Sequence, residues 1–261
     1  MQEPIINIAI EAARTAGNLI MRAMQRMDKV AIMEKSPNDF VTEVDKRAEK
    51  EIIQIIHKAY PKAGILAEES GEIPGNDYQW IIDPLDGTRN FIHGFPHFAI
   101  SIAIAYKNKI EHGVIYDPIR QELFTASRGK GAQMNNRRIR VSQRKQLEHS
   151  LLGTGFAYRH RDKENITPIN IMTSLLSITG DIRRAGAATL DLAYVACGRF
   201  DGFFEFGLKP WDIAAGILLI KEAGGIICDP DGGENYFKTG DIVAANPTIL
   251  RQLLKSIKVY M

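Results

Sequence analysis

The segment richest in potential chemistry is Trp80-Ile81-Ile82-Asp83-Pro84-Leu85-Asp86-Gly87-Thr88-Arg89-Asn90-Phe91. Two carboxylates three residues apart follow an apolar, β-branched run, and Pro84 between them stiffens the backbone and removes one N–H. Asp83 and Asp86 can then face one point together with the carbonyl of Leu85. Oxygen ligands of this kind suit a hard cation such as Mg²⁺, and the absence of thiolate and imidazole from the segment argues against zinc. Gly87-Thr88 reads as the start of a short helix, whose outward-pointing N–H groups favour an anion, and Gly87 permits close approach to the backbone. Metal carboxylates beside a phosphate cradle are what a metal-assisted phosphate ester hydrolase requires.

Two further carboxylates belong to the same pattern. Glu68 ends the apolar run Gly64-Ile65-Leu66-Ala67, and Asp212 follows Lys209-Pro210-Trp211 at a helix start. Each has a purely structural alternative: Asp212 as an N-cap, Glu68 as a solvated strand end.

The elements that must position these groups can be read from periodicity. An amphipathic helix is expected over residues 5–27, with Ile6, Ile10, Ala13, Gly17, Ile20 and Met24 on one face. The polar segment 35–39 reads as a turn, and a second helix over 43–60 stops before Pro61. Residues 64–67 and 80–82 read as buried strands delivering carboxylates at their C-terminal ends. Residues 98–106 and 110–116 form a hairpin across Lys107-Asn108-Lys109, and 121–127 and 138–142 add strands. In the second half, strands are expected at 150–154, 202–206, 226–228 and 242–244. Helices are expected at 166–179, 189–198, 212–223 and from Pro247 onward. The order is α+β, with two interlocked halves, about 1–145 and 146–261, in one domain spanning 1–261.

Composition sets outer limits. The chain has 261 residues, 45% hydrophobic and 25% charged, enough for a sizeable core. A net charge of +2 is too small to suggest nucleic-acid binding. The two cysteines, Cys197 and Cys228, form no CxxC pair and read as buried free thiols. Charged residues interrupt the apolar N-terminus, so neither an export signal nor a membrane span is expected, and cytoplasmic residence follows by default. The run Arg137-Arg138-Ile139-Arg140 with Arg144-Lys145 alternates as an exposed edge strand would, so no direct nucleic-acid contact is expected.

The string from Trp80 to Thr88 resembles the first signature of the inositol monophosphatase family. Trp211-Asp212-Ile213-Ala214-Ala215-Gly216 with Glu222-Ala223-Gly224-Gly225 is similar to its second. Gly64–Ser70 looks like the family's glutamate segment, and Lys35–Thr42 with Asp45 like its N-terminal element. The resemblance spans essentially the whole chain, and Arg183-Arg184-Ala185-Gly186 with Asp191-Leu192-Ala193-Tyr194 looks most like the bacterial branch.

It implies a layered α-β-α-β-α sandwich of the inositol monophosphatase and fructose-1,6-bisphosphatase type. It also implies two or three Mg²⁺ ions per active site. The implied metal ligands are Glu68, Asp83, the carbonyl of Leu85, Asp86 and Asp212, and the implied catalytic residues are Asp45, Glu68 and Thr88, of which Asp45 and Thr88 orient the attacking water. The implied substrate contacts are Asp86, Gly87, Thr88, Arg183, Gly186, Ala187, Ala188, Glu205 and Asp212. Ala187 and Thr189 stand where family members vary among small residues. Lys35 and Asp39 are candidates for loop positioning or an outer metal shell.

The resemblance further implies hydrolysis of a small phosphorylated polyol, myo-inositol 1-phosphate first, with lithium sensitivity and a homodimer. Fructose 1,6-bisphosphate, histidinol phosphate, phosphoadenosine phosphate and NADP are rival substrates within the superfamily. Some bacterial relatives associate with the transcription antitermination machinery of ribosomal RNA operons, which makes that machinery a candidate partner.

Overall fold

The computed structural model describes residues 4–26, 31–36, 39–156 and 167–260. Helix α1 (Pro4–Met24) is followed by the antiparallel pair β1 (Ile32–Ser36) and β2 (Asp39–Thr42), then by α2 (Glu43–Ala59). The expected turn at 35–39 thus falls inside a hairpin. Its Pro37 and Asn38, the side chains of Lys35 and Asp39, and the expected helix ends at 27 and 166 lie outside the described residues.

Next come β3 (Gly64–Ala67), β4 (Gly71–Ile73), β5 (Tyr78–Asp86), the short α3 (Thr88–Ile92), β6 (Ala99–Tyr106), β7 (Lys109–Asp117), β8 (Glu122–Ser127), β9 (Gly131–Met134) and β10 (Arg137–Arg138). They form an eight-stranded sheet in the order β10-β9-β8-β7-β6-β5-β3-β4, antiparallel except for the parallel β3–β5 pair. The second half holds β11 (Leu151–Thr154), α4 (Thr167–Leu176), β12 (Asp181–Arg183), α5 (Ala188–Ala196), β13 (Gly202–Glu205), α6 (Pro210–Glu222), β14 (Ile226–Cys228), α7 (Tyr236–Thr239), β15 (Ile242–Ala245) and α8 (Pro247–Ile257). Its five-stranded sheet runs β12-β11-β13-β15-β14.

Alternation along the strands explains the layering. In β5, β6 and β7 the side chains of Trp80, Ile82, Ile100, Ile102, Ile104, Val114 and Tyr116 pack against α1 and α2. The opposite face carries Ile81, Ala99, Ala103 and Ile115 and receives α5 and α6. Small residues on this second face let α6 come close: a Cβ on Gly113 would lie 2.9 Å from the carbonyl oxygen of Ala215. The far side of α5 and α6 meets the second sheet, and α4 and α8 cover that sheet's other face. The result is the α-β-α-β-α order implied by the sequence resemblance.

The strand expected over 138–142 is shorter than the pattern suggested. The last bond to β9 runs from the Ile139 N–H to the carbonyl of Ala132 at 3.0 Å, after which the chain turns toward α6, where the Val141 N–H donates to the carbonyl of Ala223 at 3.2 Å. Ile139 and Val141 are both buried, so beyond Ile139 the apolar alternation records burial without a ladder. The Lys107-Asn108 turn behaves as expected, with φ of 50° and 63° at the two residues of a tight hairpin.

Candidate active site

The carboxylates meet because of strand pairing. β3 and β5 are parallel neighbours, so their C-terminal ends emerge on the same edge, carrying Glu68 and Asp83. The Glu68 N–H donates to the carbonyl of Ile82 at 3.2 Å, which places Glu68 alongside the start of the motif.

Pairing of β5 with β6 then slips: Asp83 faces Ser101, but Asp86 faces Ala99. Three residues on β5 span two on β6, and the extra one is accommodated at Pro84-Leu85, where proline has no N–H to lose. The slip reverses the faces of the residues beyond it. Leu85 joins the α1–α2 side of the core instead of continuing the Ile81–Asp83 face, and Asp86 comes round to the face of α5 and α6. Period-two alternation without the bulge would put Asp83 and Asp86 on opposite faces of the sheet.

The helices of the second half complete the cluster. α6 begins at Pro210, so Asp212 is its third residue and not its N-cap. Its Oδ2 accepts from the Lys209 N–H at 2.7 Å, which both caps the helix and orients the carboxylate. Asp83 Oδ1 accepts from the Leu85 N–H at 3.0 Å. Asp86 Oδ2 accepts from the N–H and the hydroxyl of Thr189 in the first turn of α5, at 2.8 and 2.6 Å. Each of these contacts fixes one oxygen of its carboxylate.

The charges are concentrated. Burial pushes the Asp83 carboxyl well above the usual carboxylate range, and Glu68, Asp86 and Asp212 push it further. Burial raises Asp86 to about 6 against the pull of the Thr189 hydrogen bonds. An all-oxygen cluster whose buried members resist ionisation fits a divalent hard cation. Among the described residues no three of these side chains are already drawn into a metal cage.

Thr88 and Asp45 stand on the α2 side. The Thr88 hydroxyl lies 2.7 Å from Asp45 Oδ1 and 3.0 Å from the carbonyl oxygen of Leu85, with one proton to donate to either. Asp45 is buried at the start of α2, where its Oδ2 accepts from the N–H of Thr42 at 2.9 Å and its hydroxyl at 2.5 Å. Burial raises its proton affinity and these hydrogen bonds oppose the rise. Gly87 has φ of 95°, and a Cβ there would sit 3.0 Å from the carbonyl oxygen of His97, so glycine is required.

On the substrate side, Glu205 ends β13 and is buried. Its carboxyl is raised to about 8 by burial and by Asp86, with Arg184 acting in the opposite sense. The Gly155 backbone lies directly against it: a Cβ on Gly155 would meet both carboxylate oxygens. Ala187 and Ala188 are buried at the head of α5, so they can offer a ligand backbone but little side chain. Gly186, with φ of 87°, lies against the amide of Asn90. Arg183 does not join the cluster. It is exposed on edge strand β12, paired with Asp181, while the next residue, Arg184, is the one whose charge reaches Glu205 and Asp191.

Several residues here were given no role in the site by sequence reasoning. Thr189 and Asp191 are polar positions in the otherwise apolar first turns of α5, which is the signal that could have marked them. Asp191 is buried, and its Oδ1 has no hydrogen-bond partner. Asn90 fastens α3 to the loop before α5 by donating to the carbonyls of His97 at 2.7 Å and Ala185 at 2.9 Å.

Known proteins share this fold and much of this sequence. The model of the inositol monophosphatase family matches residues 1–260. Nus factor SuhB of Pseudomonas aeruginosa is 53% identical over 264 residues, covering 99% of this chain and 97% of that protein. The crystal structure of the extragenic suppressor protein suhB from Bartonella henselae superposes with a TM-score of 0.96 at 44% identity, over 99% of this chain and 100% of that one. The inositol monophosphatase from Anabaena (Nostoc) gives 0.88 at 39% identity, over 98% and 96%.

Proposed function

The chain belongs to the inositol monophosphatase family, and from that premise we propose that it is a magnesium-dependent phosphatase of a small phosphorylated polyol, with myo-inositol 1-phosphate as the first candidate. The observation that carries this reading is the buried Asp83 facing Glu68, Asp86 and Asp212, one strand end away from the Thr88–Asp45 hydrogen bond. Glu68, Asp83, the Leu85 carbonyl, Asp86 and Asp212 would hold two or three Mg²⁺ ions. When bound, they would supply charge neutralisation of the phosphate dianion and an acidified water.

The remaining roles belong to the chain itself. The N–H groups of Gly87 and Thr88 hold the phosphate at the head of α3. Asp45 accepts a proton through the Thr88 hydroxyl and so aims the attacking water at phosphorus. Glu205 meets a ring hydroxyl of the polyol, and the walls from Gly186 to Ala188 offer backbone. Arg183 is an outer contact at most, given its pairing with Asp181.

The test is phosphate release from myo-inositol 1-phosphate, fructose 1,6-bisphosphate, histidinol phosphate and phosphoadenosine phosphate, with and without Mg²⁺. The inositol ester should be preferred, and Asp83→Asn should lower turnover by about 10³-fold or more, since metal-borne charge stabilisation is worth several kcal/mol. Preference for another ester replaces the substrate. No magnesium-dependent release from any ester defeats the reading.

A second role is favoured by one observation: relatives bearing the name Nus factor SuhB match nearly the whole chain at 53% identity. A regulatory partnership with the transcription antitermination machinery would use the outer surface of a homodimer. It should survive Asp83→Asn, which a binding assay with that machinery would report.

A further inference from the structure

The tie between Asp86 and Thr189 does more than brace a helix. Both donors of Thr189 converge on the same oxygen, Oδ2, and Thr189 is fully buried, so water does not compete for its hydroxyl. The other oxygen, Oδ1, carries no hydrogen bond among the described residues. The donors arrive from α5, 103 residues further along the chain, so the geometry is set by the packing of one half on the other.

We propose that the Thr189 hydroxyl is a positioning group that reserves a single oxygen of Asp86 for the divalent cation and thereby favours Mg²⁺ over Ca²⁺. This rests on the reading of Glu68, Asp83, Asp86 and Asp212 as a magnesium site. Mg²⁺ demands near-octahedral geometry with short bonds, whereas Ca²⁺ accepts more oxygens and takes both oxygens of a carboxylate readily. A carboxylate with one oxygen occupied by two short hydrogen bonds resists rotating into a two-oxygen grip. Loss of the hydroxyl leaves only the Thr189 N–H on Oδ2 and frees the group to turn.

The experiment is titration calorimetry of the metal-free protein with MgCl₂ and with CaCl₂, for the unmodified chain, Thr189→Val and Thr189→Ser. Valine keeps the shape and removes the hydroxyl, while serine restores it. The ratio of the Ca²⁺ to the Mg²⁺ dissociation constant should fall about tenfold in Thr189→Val, the scale of one hydrogen bond to a charged group. It should return toward the original value in Thr189→Ser. Circular dichroism checks that each variant is folded, and Thr189→Ala carries the same readout if valine is not accepted. An unchanged ratio in the folded valine or alanine variant overturns the role of Thr189 while leaving the metal site intact. Absence of saturable Mg²⁺ binding in the unmodified chain overturns the site reading, and this proposal with it.

Discussion

Thr88 and Asp45 illustrate how much of the proposed chemistry depends on single oxygens. The Thr88 hydroxyl sits 2.7 Å from Asp45 Oδ1, while Asp45 is fixed from behind by Thr42, whose side chain also caps α2. Replacing Thr88 by valine keeps the volume and cuts the proton path. Turnover should fall about 10²–10⁴-fold with KM nearly unchanged, measured by steady-state phosphate release, because the group acts in the transition state. The sequence resemblance named both residues, but gave no role to Thr189 or Asp191, whose partners lie on another element. Nothing local to α5 says that residue 189 faces a carboxylate and residue 190 faces core.

At the scale of elements, the decisive feature is the bulge at Pro84-Leu85, which brings Asp83 and Asp86 to the face receiving α5 and α6. Proline in the motif hints at a break in pairing, yet the direction in which the chain turns depends on β6. The close approach of α6 to β7 is equally a matter of two elements at once. Gly113→Ala should push α6 outward, since the new Cβ would stand 2.9 Å from the Ala215 carbonyl oxygen. We expect a loss of about 1–3 kcal/mol in urea unfolding, the usual scale of overpacking. Catalysis should weaken as well, because α6 carries Asp212 at its head.

For the whole molecule, the carboxylate cluster makes folding dependent on pH in an uncommon sense. Glu205 holds its proton up to about 8 in the folded chain, against 4.5 for an ordinary glutamate. Between those values the folded state binds more protons than the unfolded one, so stability falls as pH rises from about 4.5 to about 8. Asp86, raised to about 6, adds to the decline at the lower end. Urea midpoints of the metal-free protein in EDTA should follow this course, and Glu205→Gln should flatten its upper part. Saturating Mg²⁺ should restore stability most at the alkaline end, where no protons have to be displaced. Sequence reading alone reached the family and, through that resemblance, the α-β-α-β-α order, because the motifs carry their own spacing, and it placed most helices and strands because apolar periodicity is local. It missed the edge strands β4 and β12 and the interior strand β9, each only three or four residues long. The tertiary structure alone decided which arginine of Arg183-Arg184 serves the site, which face Asp86 takes and what holds it there. Those are properties of surfaces meeting: a side chain's direction depends on strand register and helix rotation against a partner over a hundred residues away, and no local pattern encodes either.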